Sequence, residues 1–473
     1  MPLSDFLPAG LLPFHGWLSA LGLLVYTLGS RTLQQRRHPS AALAWVMVIL
    51  LLPELGVPLY LMFGTRKLPK ASRRQIPDIG VPLPAEVAPV WVQHLTGAMA
   101  MPPVRGYHGL RVHQDGREAR AALWETIGSA RERLDICTFI LGRDKFGDAL
   151  LAHLADRARA GVKVRLLVDG VGTWMGGRRD FSVAQAAGVQ VARFVPPLRS
   201  PLQWPLRGRT NLRNHRKLVI ADSRRMWSGG RNLSGEYFDG SAGRPPWIDL
   251  SFDVGGDLPA EATQVFDADW SFALRPARKL IEFGTLRDWA DAAVLAPAAQ
   301  ILPSGPDYAD DTVHALLLTS CYRARSRILA VTPYLVPDES LLAALTLAAR
   351  RGVRVDIVIP ARSNHRMADI ARHRPMRDLA RAGARLWLSP SMVHAKAVVI
   401  DEHMALVGSV NLDIRSLFLN YELMTGFYAR QDIARFAAWI DELKGSAVPY
   451  EAVDPGLARY VAEGLVLWLA FQL

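Results

Sequence analysis

Two short stretches of the chain carry the same polar residue types at the same spacing. The first runs Asn214-His215-Arg216-Lys217, then Asp222, then Gly229-Gly230-Arg231-Asn232. The second runs Val393-His394-Ala395-Lys396, then Asp401, then Gly408-Ser409-Val410-Asn411. Both fit HxKxxxxD followed by G[GS]xN, and each histidine precedes its asparagine by 17 residues. Two ammonium groups and several amides converging on one point suit the negative oxygens of a phosphate. One imidazole can attack phosphorus while the other protonates the departing oxygen. No HExxH, Asp-rich or Cys/His ligand cluster lies near the motifs, so no metal or cofactor is expected. A nucleophilic histidine needs its second ring nitrogen held by an acceptor. Asp249 and Glu422, each amid apolar strand-like residues, are candidates, because an unpaired carboxylate there is costly. The alternative is a charge on an exposed edge strand.

Strands must present these groups. Residues i and i+2 face the same way on a strand, so His215 projects with Lys217 and His394 with Lys396. Leu218–Ala221 and Ala397–Ile400 read as buried strands, returning through Met226–Ser228 and Ala405–Val407. Asp222 and Asp401 fall at the intervening turns and are expected to be structural rather than catalytic. The small Gly-Gly and Gly-Ser pairs are expected to let a ligand reach backbone N–H groups.

The repeat extends upstream. Arg157–Asp169 and Ala348–Pro360 both read as a basic helix end, a Gly stop and a buried strand. Each follows a strand-like run, Leu134–Leu141 or Ile328–Leu335, and a helix, Phe146–Ala160 or Glu339–Arg351. The expected fold is α/β, with two pseudo-repeated units at residues 115–275 and 296–450, mixed sheets flanked by helices, and a connector at 276–295. Residues 64–114, rich in proline, read as a linker with little regular structure.

The chain has 473 residues, half of them hydrophobic and 21% charged, which excludes wholesale disorder. Its formal charge of +12 favours anionic partners. Two cysteines, Cys137 and Cys321, make no disulfide framework and read as buried thiols. Two apolar runs, Leu11–Leu28 and Ala41–Phe63, are each about as long as a bilayer-spanning helix of roughly 20 residues. They predict a transmembrane hairpin over residues 1–63. Arg66, Lys67, Lys70, Arg73 and Arg74 after it outweigh Arg31, Arg36 and Arg37 inside it, which places the large domain in the cytoplasm. A shallow hairpin that never fully crosses is the alternative. Residues 451–473 predict a C-terminal helix, lying in the membrane interface or docked on the domain.

The paired motifs resemble those of the phospholipase D superfamily. Arg213–Lys217, Ser304-Gly-Pro-Asp307, Thr332–Glu339, His394-Ala-Lys396 and Gly408–Ser416 are similar to its bacterial cardiolipin synthases, as is the segment Ala44–Gly64. The resemblance implies a two-step transfer at a bacterial inner membrane. His215 would form a phosphatidyl-histidine, and His394 would protonate the departing glycerol. His394 would then deprotonate a second phosphatidylglycerol, giving cardiolipin. Lys217, Lys396, Asn232 and Asn411, with Ser409 beside them, match the family's phosphate-binding positions, and Asp249 and Glu422 its histidine-orienting acids. The expected partners are anionic phospholipids and a membrane. Water as acceptor, giving a hydrolytic phospholipase D, or a different phosphatidyltransferase is one alternative. A nuclease is another, disfavoured by the terminal apolar segments and by the few aromatics near the motifs.

Overall fold

The computed structural model describes residues 11–32, 39–64, 67, 83–177, 179–195, 211–241, 243–274 and 297–469. The first unit contributes β1 Val104–His113, β2 Arg133–Thr138, β3 Lys163–Asp169, β4 Gln190–Phe194, β5 Leu218–Ala221, β6 Arg225–Gly229 and β7 Ser251–Gly256. The second contributes β8 Ala298–Ser304, β9 Arg327–Val331, β10 Leu335–Val336, β11 Arg354–Pro360, β12 Arg385–Ser389, β13 Ala397–Ile400, β14 Met404–Gly408, β15 Leu412–Asp413, β16 Glu422–Phe427 and β17 Val448–Pro449. Fifteen of these form one sheet, ordered β17-β12-β11-β9-β13-β14-β16-β8-β1-β7-β6-β5-β2-β3-β4. The two arms repeat outward from the central antiparallel pair β8–β1. Each carries an outer parallel trio, β2-β3-β4 or β9-β11-β12, and is otherwise antiparallel, with β17 added antiparallel beyond β12. The α/β repeat is therefore as expected, but the two mixed sheets are continuous.

Alternation along the strands explains the layering. Leu218 and Ile220 of β5, with Ala397 and Val399 of β13, enter a core shared by both units on one face. Helices Leu258–Leu274 and Arg430–Gly445 cover that face through Val265, Phe266, Ile433 and Phe436. The intervening residues Val219 and Val398 point to separate cores on the other face. There helices Gly116–Ser129 and Lys145–Arg159 cover the first unit, and Thr312–Arg323 and Glu339–Arg350 the second.

Residues 64–114 depart from the expectation. Val90–Ala98 is a helix, and β1 is the central strand that bonds both β7 and β8. Gly109, at φ +64°, marks a bulge in the register between His108 and Arg111, which breaks the alternation that reveals a strand.

The N-terminal segment is also corrected. Leu11–Thr32 is one helix, but the second apolar run divides into Pro39–Leu51 and Pro53–Phe63. Pro53 cannot donate to the helical ladder, and the chain folds back there until Gly56 lies against Val48 and Ile49. Helices of 13 and 11 residues reach about 20 Å and 17 Å at 1.5 Å per residue, short of a hydrocarbon core of about 30 Å. Among the described residues no helix is long and apolar enough to cross a membrane. Lys67 is buried rather than part of an exposed basic cluster: its Nζ lies 3.0 Å from Asp311 Oδ1 and donates to the Gly305 and Asp310 carbonyls. Arg66, Lys70, Arg73, Arg74, Arg36, Arg37 and the connector 276–295 lie outside the described residues.

The C-terminal helix Leu457–Leu469 docks on the second unit. Its Glu463 accepts from Arg377 at 2.5 Å and Arg459 at 2.9 Å, and Val466 packs on Ala368 and Ala371. Cys137 and Cys321 are buried free thiols.

Candidate active site

Each motif is a hairpin, as its spacing predicts: β5 pairs with β6 and β13 with β14. At the far turns Asp222 and Asp401 have φ of 52° and 50°, a left-handed conformation that aspartate tolerates. Asp222 accepts the N–H groups of Arg131, Glu132 and Arg133 at 2.7–2.9 Å. Asp401 accepts those of Arg325, Ser326 and Arg327 at 2.8–2.9 Å. Burial raises both carboxyls, but these donors outweigh it and hold them below the usual aspartate range. These turns sit at the edge of the sheet opposite the histidines.

At the near edge the two units interlock through their backbones. His215 N donates to Tyr421 O at 2.8 Å, and His394 N donates to Ile248 O at 2.7 Å. Each contact brings the motif histidine of one unit beside the carboxylate of the other. His215 Nδ1 lies 2.9 Å and 3.0 Å from the Glu422 oxygens, and His394 Nδ1 lies 2.7 Å from Asp249 Oδ2. The pairs are crossed, so neither dyad forms within one unit.

Asp249 and Glu422 are buried, as are Lys217, Lys396 and His394. Lys217 Nζ donates to His215 O at 2.7 Å, while Lys396 Nζ sits 3.0 Å from His394 Nε2. Burial pushes His215 down to about 4 against the pull of Glu422. Burial, reinforced by Lys396, pushes His394 down to about 3. Each histidine also feels the lysine of the other unit, so the four groups share one site. Burial lowers Lys217 to about 8 and Lys396 to about 7. It opposes ionisation of Asp249 and Glu422 too, but the histidines facing them hold both carboxyls below their ordinary range. The resting site is thus two neutral imidazoles on two carboxylates, facing two lysines, Lys217 and Lys396, that carry charge below about 8 and 7.

The small residues after the hairpins serve packing. The N–H groups of Gly230 and Ser409 donate to Leu250 O and Leu423 O at 2.9 Å each, so they are not open to a ligand as expected. A Cβ on Gly230 would lie 3.0 Å from Asp249 Cγ and nearer still to Oδ1, so only glycine leaves Asp249 its place. Ser409, at the matching position, donates to Glu422 Oε2 at 2.5 Å and accepts from Leu423 N at 2.9 Å. Asn232 Nδ2 donates to the Tyr237 hydroxyl at 2.7 Å. Asn411 Oδ1 is buried with no hydrogen-bond partner among the described residues.

Several neighbours escaped the motif reading. The Phe139 ring packs edge-on to His215 at 5.1 Å, and Tyr237 and Trp247 pack on His394 at 5.0 Å and 5.6 Å. Arg216, almost fully buried, donates to Glu422 O at 2.9 Å and to Asp269 at 2.5 Å. Arg231 clamps the carbonyls of His113, Gln114 and Tyr237. No spacing rule in the sequence signals these contacts. Among the described residues no group of three or more His, Cys, Asp or Glu could hold a metal ion.

Residues 123–244 and 317–444, which hold both motifs, match the family described as cardiolipin synthase, PLD-like domain. The chain belongs to this cardiolipin synthase family. Residues 20–64 match the family described as phospholipase D-nuclease N-terminal. Among curated family members, the cardiolipin synthase A of Pseudomonas putida strain W619 is 33% identical over 406 residues, covering 82% of each chain. That of Pectobacterium atrosepticum is 30% identical over 439 residues, covering 87% of each. The phosphatidylserine synthase of Haemophilus influenzae shares the fold, with a TM-score of 0.62 over 81% of this chain and 100% of its own, at 13% identity.

Proposed function

We propose that this protein is a phosphatidyltransferase that makes cardiolipin from two phosphatidylglycerols. The crossed dyads carry the reading: two neutral imidazoles, each fixed through Nδ1 by a carboxylate of the other unit, present Nε2 to one lysine-lined site. When the anionic phosphodiester binds, His394 Nε2 takes up a proton from solvent. In the first step His215 Nε2 attacks phosphorus while the bond to glycerol breaks and the His394 imidazolium gives that proton to the departing oxygen. In the second, His394 takes the proton of the acceptor hydroxyl, whose oxygen displaces the histidine. Glu422 and Asp249 stabilise the imidazolium that each step creates. Lys217, Lys396, Asn232 and Asn411 face the phosphate, and Ser409 acts through Glu422. An anionic phosphodiester offsets the repulsion from Lys396 and so raises the proton affinity of His394 when an acid is needed.

The N-terminal helices support membrane attachment. Trp17, Leu21, Leu24, Leu43, Met47 and Leu55 are all exposed. Helices apolar on their outer faces need an apolar surround. We take this segment as a shallow hairpin in the cytoplasmic membrane, with the catalytic units on the cytoplasmic side. The test is incubation of the purified protein with phosphatidylglycerol alone. Cardiolipin with one glycerol released per cardiolipin is expected, and phosphatidic acid as the only product would refute the transfer.

A further inference from the structure

We propose that the edge of the sheet carrying the histidines rests on the bilayer through two apolar pads, one from each unit. The first is Trp174 and Met175, 67% and 60% exposed. They end the short helix Gly170–Met175, which continues from the C-terminal end of β3. A Cβ on Gly172 would overlap the carbonyl of Phe139, whose ring packs on His215, so this helix lies beside the nucleophile. The second pad is Ile370, Tyr460, Val461 and Leu465, between 39% and 61% exposed. Ile370 lies on helix Arg366–Ala371, which follows β11, the counterpart of β3. The C-terminal helix lies on that helix and brings the other three residues.

Three features select a lipid surface as the occupant. The pads arise by different means, an exposed helix end in one unit and an added C-terminal helix in the other. They nevertheless fall at equivalent places, one in each arm of the sheet. The chain leaving the N-terminal hairpin arrives at this same edge: Lys67 is held by residues 305–311, which continue β8 beyond Ser304, the register partner of Glu422. Exposed cations accompany both pads. The stem of Arg143 lies by Gly177 next to the first, and the Arg374 guanidinium stands 5.9 Å from the Tyr460 ring in the second. Apolar side chains with snorkelling cations suit the boundary between anionic headgroups and acyl chains. The inference rests on the phosphatidyl-transfer reading. It adds that the donor and acceptor headgroups enter from the membrane between the pads, with no lipid extracted into water.

The test uses the full chain with a polarity-sensitive fluorophore on Trp174→Cys, Val461→Cys or Glu402→Cys, since Cys137 and Cys321 are buried. Glu402 is exposed at the Asp401 turn, on the opposite edge. On phosphatidylglycerol vesicles with brominated acyl chains, labels at 174 and 461 are expected to lose more than half their emission, and the label at 402 none. Quenching at only one pad, at neither, or equally at all three would overturn the two-pad surface. The double variant Trp174→Ser/Met175→Ser is expected to lose at least fivefold in turnover on vesicles and to keep wild-type turnover on detergent-dispersed lipid; equal loss on both would count against the pad. Quenching of the labels at both pads, together with no cardiolipin made by the unlabelled wild-type chain, would instead remove the transfer reading and leave the surface standing.

Discussion

Gly230→Ser makes the first hairpin chemically identical to the second at this position, and the structure expects it to fail. Ser409 has room because Glu422 is one methylene longer than Asp249. At residue 230 a new Cβ would stand 3.0 Å from Asp249 Cγ and 3.1 Å from Oδ2, with Oδ1 nearer still. Asp249 cannot yield freely. It is fully buried, with Oδ1 accepting from Leu250 N at 2.7 Å and Oδ2 paired with His394 Nδ1 at 2.7 Å. One of these charge-assisted bonds must break, each worth about 1.5–3 kcal/mol. If the His394 bond goes, that is roughly a 10- to 150-fold fall in kcat, at about 1.4 kcal/mol per tenfold. The assay is steady-state cardiolipin formation on mixed micelles, with circular dichroism and Tm to show that the fold persists. Ser409→Gly is the control: it removes the bond to Glu422 without a clash and should cost less. A folded Gly230→Ser protein with both wild-type kcat and wild-type Tm would refute the reasoning, because neither bond of Asp249 would then have been lost.

His215→Ala and His394→Ala should each lower turnover by several orders of magnitude while leaving the circular dichroism spectrum unchanged, as when one member of a catalytic unit is removed; near-normal turnover in either would sink the two-histidine mechanism. Cardiolipin formation should survive exhaustive chelation, because Lys217 and Lys396 already supply the positive charge; activity restored only by added divalent metal would contradict this. The pH profile of kcat/KM reports the free enzyme. Lys396 at about 7 and Lys217 at about 8 carry charge below those values and lose it above them, so kcat/KM should fall as the pH rises through 7 to 8. A neutral His215 is lost only below about 4, far from that fall, and kcat/KM rising from pH 7 to 9 would be inconsistent with the site. Arg231→Met should lower Tm without moving KM, because it strips a donor from the carbonyls of the buried residues His113 and Tyr237, at about 1–3 kcal/mol per unpaired group.

What could be read from sequence was local. The i, i+2 alternation put each histidine and lysine on one face of a strand, and the apolar runs after them gave the hairpins. The helices after Asp144 and Asp338 were legible because those caps and the apolar spacing agree. The crossed pairing was not legible, because it joins residues 207 and 145 positions apart through backbone contacts between units. Asp249 and Glu422 stood out only as carboxylates among apolar neighbours. β1 was missed because Pro102, Pro103, Gly106 and Gly109 read as punctuation, although its pairing with β7 and β8 outweighs local propensity. Residues 134–141 read as one strand, whereas the chain leaves β2 after Thr138 to carry Phe139 to His215. The apolar run 41–63 has the length of a span, but Leu52-Pro53 folds it back, and a hydropathy count alone does not register that reversal.

The central claim is that His215 takes the phosphatidyl group and His394 moves the protons. The most direct measurement uses His394→Ala with a phosphatidyl ester of p-nitrophenol, whose departure needs no proton. Without His394 the acceptor hydroxyl is not deprotonated, so the covalent intermediate should accumulate. Digestion at neutral pH and mass spectrometry should then find a phosphatidyl group on the peptide containing His215, with a stoichiometric burst of nitrophenol and no adduct in the His215→Ala protein. An adduct on the peptide containing His394 in the His215→Ala protein, with His215 unmodified throughout, would contradict the account.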